Sequence, residues 1–144
     1  PMSKENDWDT GALDFLHYGR EKLLRTVIEN FDFRELHTRY PAKKDDFWYY
    51  DPPYVRAGER KDYYFFDFTE QDHIELAELV KEVDKQGAKF MVSYDDRDIV
   101  MELYKDFIIN KIPVKYAGQR TGEDYKNEIV ITNYEPNNQQ VSLL

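Results

Sequence analysis

Four consecutive aromatic residues, Phe47-Trp48-Tyr49-Tyr50, run directly into Asp51-Pro52-Pro53-Tyr54. Few stretches limit a fold more. Aromatic side chains suit a pleated, packed surface, so residues 47–50 read as a strand buried on both faces. Proline lacks an N–H and fixes φ, so a sheet ladder cannot continue through Pro52 and Pro53. Asp51 is thereby set at the carboxyl end of a strand, in a stiff turn. In an open α/β sheet, ligands gather beyond such ends.

The rest of the chain supplies the alternation that such a sheet needs. Leu13, Leu16, Leu23 and Leu24 predict a helix over residues 10–25, with Thr10 as its N-cap and Gly19 as a weak point. A strand is expected over 26–29. A short helix should follow over 32–40, opened by the capping-box spacing of Asp32 and Glu35 and stopped by Pro41. Residues 55–68 read as a long loop, basic at first and then aromatic at Tyr63, Tyr64, Phe65, Phe66 and Phe68. Thr69 and Asp72 resemble another capping box, and Leu76, Leu79, Val80 and Val83 fall at helical spacing, with Gly87 as the stop. A strand over 89–94 and a helix capped by Asp96 and carrying Ile99, Val100, Leu103 and Tyr104 come next. Strands over 107–116 and 128–134 have no helix between them. The pattern predicts an α/β chain with a mainly parallel sheet, a C-terminal antiparallel hairpin and a polar tail.

At 144 residues the chain suits one domain with a core, and 16% aromatic content supplies the apolar surface. Without cysteine there is no disulfide, thiolate nucleophile or cysteine-ligated zinc, and the three histidines are scattered, so no metal site is expected. No apolar run reaches the length of a membrane span and the N-terminus lacks a signal-like stretch, so a cytoplasmic protein without membrane contact is expected. Pro1 ahead of Met2 reads as a cloning or protease remnant, with Met2 the expected start. The formal charge of −9 counts against a nucleic-acid partner when taken alone, because phosphate contacts draw on clustered Lys and Arg. The basic spots are small: Lys43-Lys44, Arg56 with Arg60-Lys61, and Arg120 with Lys126.

The motif itself suits a particular task. An amine on an adenine ring is a poor nucleophile, because its lone pair is delocalised into the ring. If the Asp51 carboxylate and the Pro52 carbonyl each accept one of its hydrogens, the nitrogen moves toward tetrahedral geometry and its lone pair turns to an electrophilic methyl group. Pro52 and Pro53 stiffen the turn that presents the carbonyls, and Tyr54 offers a ring for stacking. A base in a duplex would have to be flipped out to arrive there. The local alternative is a plain strand-terminating turn. The aromatic strand before the motif, and the long loop and capped helix after it, favour chemistry.

Further blocks carry a resemblance. Val27-Ile28-Glu29-Asn30 with Asp32-Phe33, Phe68-Thr69 with Asp72-His73, Phe90-Met91-Val92-Ser93-Tyr94, and Glu128-Ile129-Val130-Ile131-Thr132-Asn133-Tyr134-Glu135-Pro136 stand with Asp51-Pro52-Pro53-Tyr54 in one order. In these blocks the chain resembles the Dam-type or D12-class DNA adenine-N6 methyltransferases, over about residues 20–136. The resemblance implies a partial Rossmann-like methyltransferase sheet, S-adenosylmethionine as cofactor and DNA as partner, as in restriction–modification. It implies that Asp51, Pro52, Pro53 and Tyr54 bind and activate the flipped adenine, with Asp51 also near the donor. Asp32 would accept from the cofactor's adenine amine, and the Phe33 backbone N–H would meet its ring nitrogen. Ser93-Tyr94 would line the floor of the site, Tyr94 being equally suited to the core. Arg56, Arg60 and Lys61 would meet DNA phosphate. Residues 1–19 would be a remnant of the DNA-recognition region, 20–136 the catalytic portion and 137–144 a tail.

The family's Phe-x-Gly-Gly turn, which holds the methionine end of the cofactor, has no counterpart, since all six glycines are isolated. Most of the DNA-reading segment is likewise unmatched, which accounts for the acidic balance. Three readings follow: a methyltransferase portion completed by a complementary chain, a non-catalytic remnant acting as an interaction module, and a small RNA or protein amine methyltransferase. Asp at position 51 and the breadth of the match favour adenine in DNA.

Overall fold

The computed structural model describes residues 10–55, 68–115 and 125–136. The chain divides into two compact units, Pro1–Asp32 and Phe33–Leu144. In the first, α1 (Thr10–Leu23) ends in a turn in which Leu24 N–H donates to the Arg20 carbonyl at 3.0 Å. Its Phe15, Leu16, Leu23 and Leu24 side chains are exposed. The strand expected over 26–29 does not form. A strand needs a ladder partner, and none of the described strands pairs with this stretch, leaving Val27 and Ile28 extensively exposed.

The second unit contains α2 (Phe33–Arg39), β1 (Phe47–Tyr50), α3 (Glu70–Lys85), β2 (Lys89–Asp95), α4 (Asp98–Leu103), β3 (Ile108–Lys115) and β4 (Tyr125–Thr132). Helix α3 has both ends specified by the residues read from sequence. Thr69 accepts from Asp72 N–H, and the Asp72 carboxylate accepts from Thr69 N–H at 2.6 Å, closing the capping box. At the other end Gly87, at φ 81°, lets its N–H donate to the Asp84 carbonyl and that of Ala88 to the Val83 carbonyl. This left-handed cap turns the chain into β2.

The described strands form one sheet in the order β1-β2-β4-β3. β1 and β2, joined through α3, are parallel, whereas the β2–β4 and β3–β4 ladders are antiparallel. The expected hairpin is therefore present, but pairing in the sheet is not mainly parallel. The cause is where β4 returns. With no helix among the described residues between β3 and β4, β4 lies between β2 and β3, so β3 runs in the direction of β2 without touching it. Strand β4 also ends two residues before the expected 134, because Asn133 leaves the ladder to act as a clip. Its Oδ1 accepts from Phe90 N–H at 3.0 Å, and its Nδ2 donates to Asp84 Oδ1 and the Ala88 carbonyl, each at 2.8 Å.

The core lies on one face of this sheet. Leu76, Ala77, Val80 and Val83 of α3 and Val100 of α4 pack with Phe90, Val92, Tyr94, Ile129 and Ile131. β1 is not buried on both faces as expected. Trp48 and Tyr50 are half-buried and stack with His37 of α2, while Phe47 and Tyr49 are 56% and 53% exposed. The strand period of two sends alternate residues to opposite faces, and the α2–α3–α4 layer covers one. A second correction concerns α4. Arg97, not Asp96, occupies its N-cap, with no side-chain cap bond, and Asp96 instead meets Lys111 of β3 at 2.7 Å.

Candidate active site

Parallel pairing brings the carboxyl ends of β1 and β2 side by side. Tyr50 pairs with Val92, so Asp51 emerges next to Ser93. The Ser93 hydroxyl donates to Asp51 Oδ1 at 2.8 Å and lies 3.1 Å from the Tyr49 hydroxyl. Tyr49, Asp51 and Ser93 thus occupy the face opposite the helical layer. Asp51 is exposed, and Pro52, Pro53 and Tyr54 are half-buried.

The turn after the motif is held by a residue that the sequence reading did not single out. Asp95 Oδ1 accepts from Val55 N–H at 3.1 Å, and Asp95 Oδ2 pairs with Arg97 Nε at 2.9 Å. The backbone leaving Tyr54 is therefore tied to the end of β2. Asp95 stands two positions after Ser93, on the same face, where the apolar alternation of β2 stops. That polar i, i+2 pair at a strand end was the available signal.

Behind the turn, rings form a continuous path. The Tyr54 ring is 6.3 Å from that of Tyr94, Tyr94 is 5.6 Å from His73, His73 is 4.7 Å from Phe68, and Phe68 is 5.6 Å from Phe33. Tyr94 is fully buried, so of its two expected roles it fills the core one. Its hydroxyl is 2.8 Å from His73 Nδ1. Burial lowers the His73 pKa, against a raising influence from Asp95, Asp72 and Glu70, and burial raises that of Tyr94, so burial favours the uncharged form of each. Phe33, expected near the cofactor, opens α2 and joins this path. Arg34 lies over its ring and pairs with Asp72 and Glu75 of α3, joining α2 to α3.

Asp32 is the last residue of the first unit and is exposed. Arg56, Arg60 and Lys61, and the aromatic residues from Tyr63 to Phe66, lie outside the described residues. Among the described residues no helix is long and apolar enough to cross a membrane.

A family model described as D12 class N6 adenine-specific DNA methyltransferase matches residues 2–117. The chain is 35% identical over 98 residues to the type II methyltransferase M1.LlaDCHI of Lactococcus lactis subsp. cremoris, across 65% of this chain and 34% of that protein. It is 34% identical over 97 residues to the type II methyltransferase M.MjaIII of Methanocaldococcus jannaschii, across 62% of this chain and 34% of that protein. The chain thus spans roughly a third of the length of these curated relatives.

Proposed function

The chain belongs to the D12 class of N6 adenine-specific DNA methyltransferases, and on that premise we propose that it is the portion of such an enzyme that grips and activates the accepting adenine. Duplex DNA is the substrate and S-adenosylmethionine the methyl donor, in the setting of restriction–modification. In this reading residues 20–136 are the catalytic portion of a Rossmann-like sheet, 1–19 a remnant of the recognition region, and 137–144 a tail. A complementary chain or segment supplies the rest of the cofactor site.

One observation carries the reading: Asp51-Pro52-Pro53-Tyr54 leaves the carboxyl end of β1 beside the parallel end of β2, with Asp51 exposed and one of its oxygens held by Ser93. The other oxygen, Oδ2, is then the acceptor for one hydrogen of the adenine amine, and the Pro52 carbonyl for the other. Losing conjugation with the ring, the nitrogen presents its lone pair for in-line attack. Tyr54, backed by buried Tyr94, supports the flipped base by stacking.

The donor set suits part of the cofactor. Phe33 opens α2, where the first backbone N–H groups have no intrahelical acceptor, and its ring is packed between Phe68 and Arg34. Its N–H is proposed to meet a ring nitrogen of the cofactor's adenine. S-adenosylmethionine, when bound, supplies the electrophilic methyl group. Arg56, Arg60 and Lys61, close behind the motif in sequence, are proposed to meet phosphate near the flipped base.

The test is transfer of labelled methyl from S-adenosylmethionine to duplex DNA, by the chain and by the chain with the complementary segment of a relative added. Asp51→Ala is expected to lower transfer by at least about 100-fold. Undiminished methylation by that variant would remove Asp51 from the chemistry and the proposal with it.

A further inference from the structure

Ser93 stands among three polar groups and has a single hydrogen to give among them. Asp51 Oδ1 is 2.8 Å away, the Tyr49 hydroxyl 3.1 Å and the Tyr50 carbonyl 3.4 Å. A serine hydroxyl has one hydrogen to give and two lone pairs to offer. The carboxylate and the carbonyl can only accept. The nearer, charged carboxylate takes the Ser93 hydrogen, since charge-assisted bonds are the shorter and stronger ones. Tyr49, the one member of the group besides Ser93 with a hydrogen of its own, must then donate to Ser93 Oγ.

We propose that Tyr49 and Ser93 form a directed relay, Tyr49 O–H to Ser93 O–H to Asp51 Oδ1, that positions the Asp51 carboxylate. Ser93 is the positioning residue and Tyr49 sets its direction. The relay also accounts for Tyr49 itself. Its side chain is 53% exposed on a face of β1 where aromatic burial contributes little, yet its hydroxyl reaches diagonally across the ladder to Ser93. Each donor bond polarises the next, so the Ser93–Asp51 bond is stronger with Tyr49 than without it. With Oδ1 engaged, a ligand hydrogen meets Oδ2, which has no protein partner among the described residues. The carboxylate plane is then set before any base arrives, which removes one rotation that binding would otherwise have to freeze.

This inference rests on the proposed role of Asp51 for its functional meaning, but its core is measurable on the chain alone. The readout is the Asp51 carboxyl carbon resonance in 13C-labelled protein, recorded in H2O and D2O to detect the isotope shift that a hydroxyl hydrogen bonded to the carboxylate imposes. The shift is expected in the native chain, lost in Ser93→Ala, kept in Ser93→Thr and reduced in Tyr49→Phe. The Asp95 carbon, bonded to Val55 N–H and Arg97, should be the same in all variants and reports that the strand end is folded. An Asp51 isotope shift unchanged by Ser93→Ala, with Asp95 intact, overturns the relay.

In the methyl-transferring assembly, Ser93→Ala should lower kcat by about 10-fold to 100-fold with little change in KM, and Ser93→Thr should restore it. Loss of the isotope shift with kcat unchanged overturns the positioning role. Full transfer by Asp51→Asn defeats the functional reading instead, and the isotope shift does not depend on it.

Discussion

His73 sits 3% exposed on the inner side of α3, with Nδ1 facing the Tyr94 hydroxyl and the carboxylates of Asp95, Asp72 and Glu70 acting on it from a distance. Burial dominates and lowers its pKa. The unfolded chain therefore binds a proton near the ordinary imidazole value, about pH 6.5, that the folded chain resists. The stability that comes from keeping His73 neutral is complete above that value and is lost as pH falls below it. Urea unfolding should accordingly show a lower midpoint at about pH 5 than at about pH 7.5, with the difference reduced in His73→Gln. Parallel pH dependence in the two proteins would contradict the assignment. None of this was legible from the Asp72-His73 block. Sequence placed His73 in the first turn of a helix, but the Tyr94 hydroxyl that faces its buried ring is 21 residues away on β2.

At the scale of elements, α3 is the part of the chain that sequence described best, because its stop and start signals are local. Thr69, Asp72 and Gly87 act on groups within a turn of themselves. Asp72 has its pKa lowered to about 2, first by the Thr69 hydroxyl, then by Arg34 and the Thr69 N–H. Its contribution to stability is present above the ordinary carboxylate range and is lost as pH falls through that lowered value. Thr69→Ala is expected to cost about 1 kcal/mol at neutral pH, read by urea unfolding, and the deficit should shrink in strong acid as Asp72 takes up its proton. A deficit that persists at full size there would mean that the box is not coupled to the carboxylate. The elements read less well were those whose existence needs a distant partner. Residues 26–29 have strand-like composition and no ladder, and Asp96 has a capping residue's chemistry but is drawn to Lys111 on β3.

Over the whole molecule, the described sheet brings Asp51, Ser93 and Asp95 together at the carboxyl ends of β1 and β2, the side proposed to hold the accepting amine. The glycine turn that the family uses for the donor's methionine end has no match in the sequence. Calorimetric titration with S-adenosylmethionine should therefore give much weaker binding by this chain alone than by an intact relative, and addition of the complementary segment should tighten it. Tight binding by the isolated chain would refute the division of labour proposed for the two parts. The acidic balance fits the same division, since the electrostatic part of DNA affinity would come chiefly from the segment that reads the sequence.

By itself the sequence determined the motif, its place at a strand's carboxyl end, the alternation of helices and strands, and both ends of α3. These follow from interactions within a few residues: proline's missing N–H, helical periodicity, caps and a left-handed glycine. Tertiary structure decided which strand lies beside which, that β4 enters between β2 and β3, and that Tyr49 faces outward toward Ser93 rather than into a second packed layer. Those outcomes depend on what covers each face and which ladder each backbone joins, and both are settled by residues remote in sequence. The same distinction divides the site. Asp51 is readable in its own four residues, while Ser93 and Asp95, which hold the carboxylate and the turn, acquire their roles only once β1 and β2 pair in register.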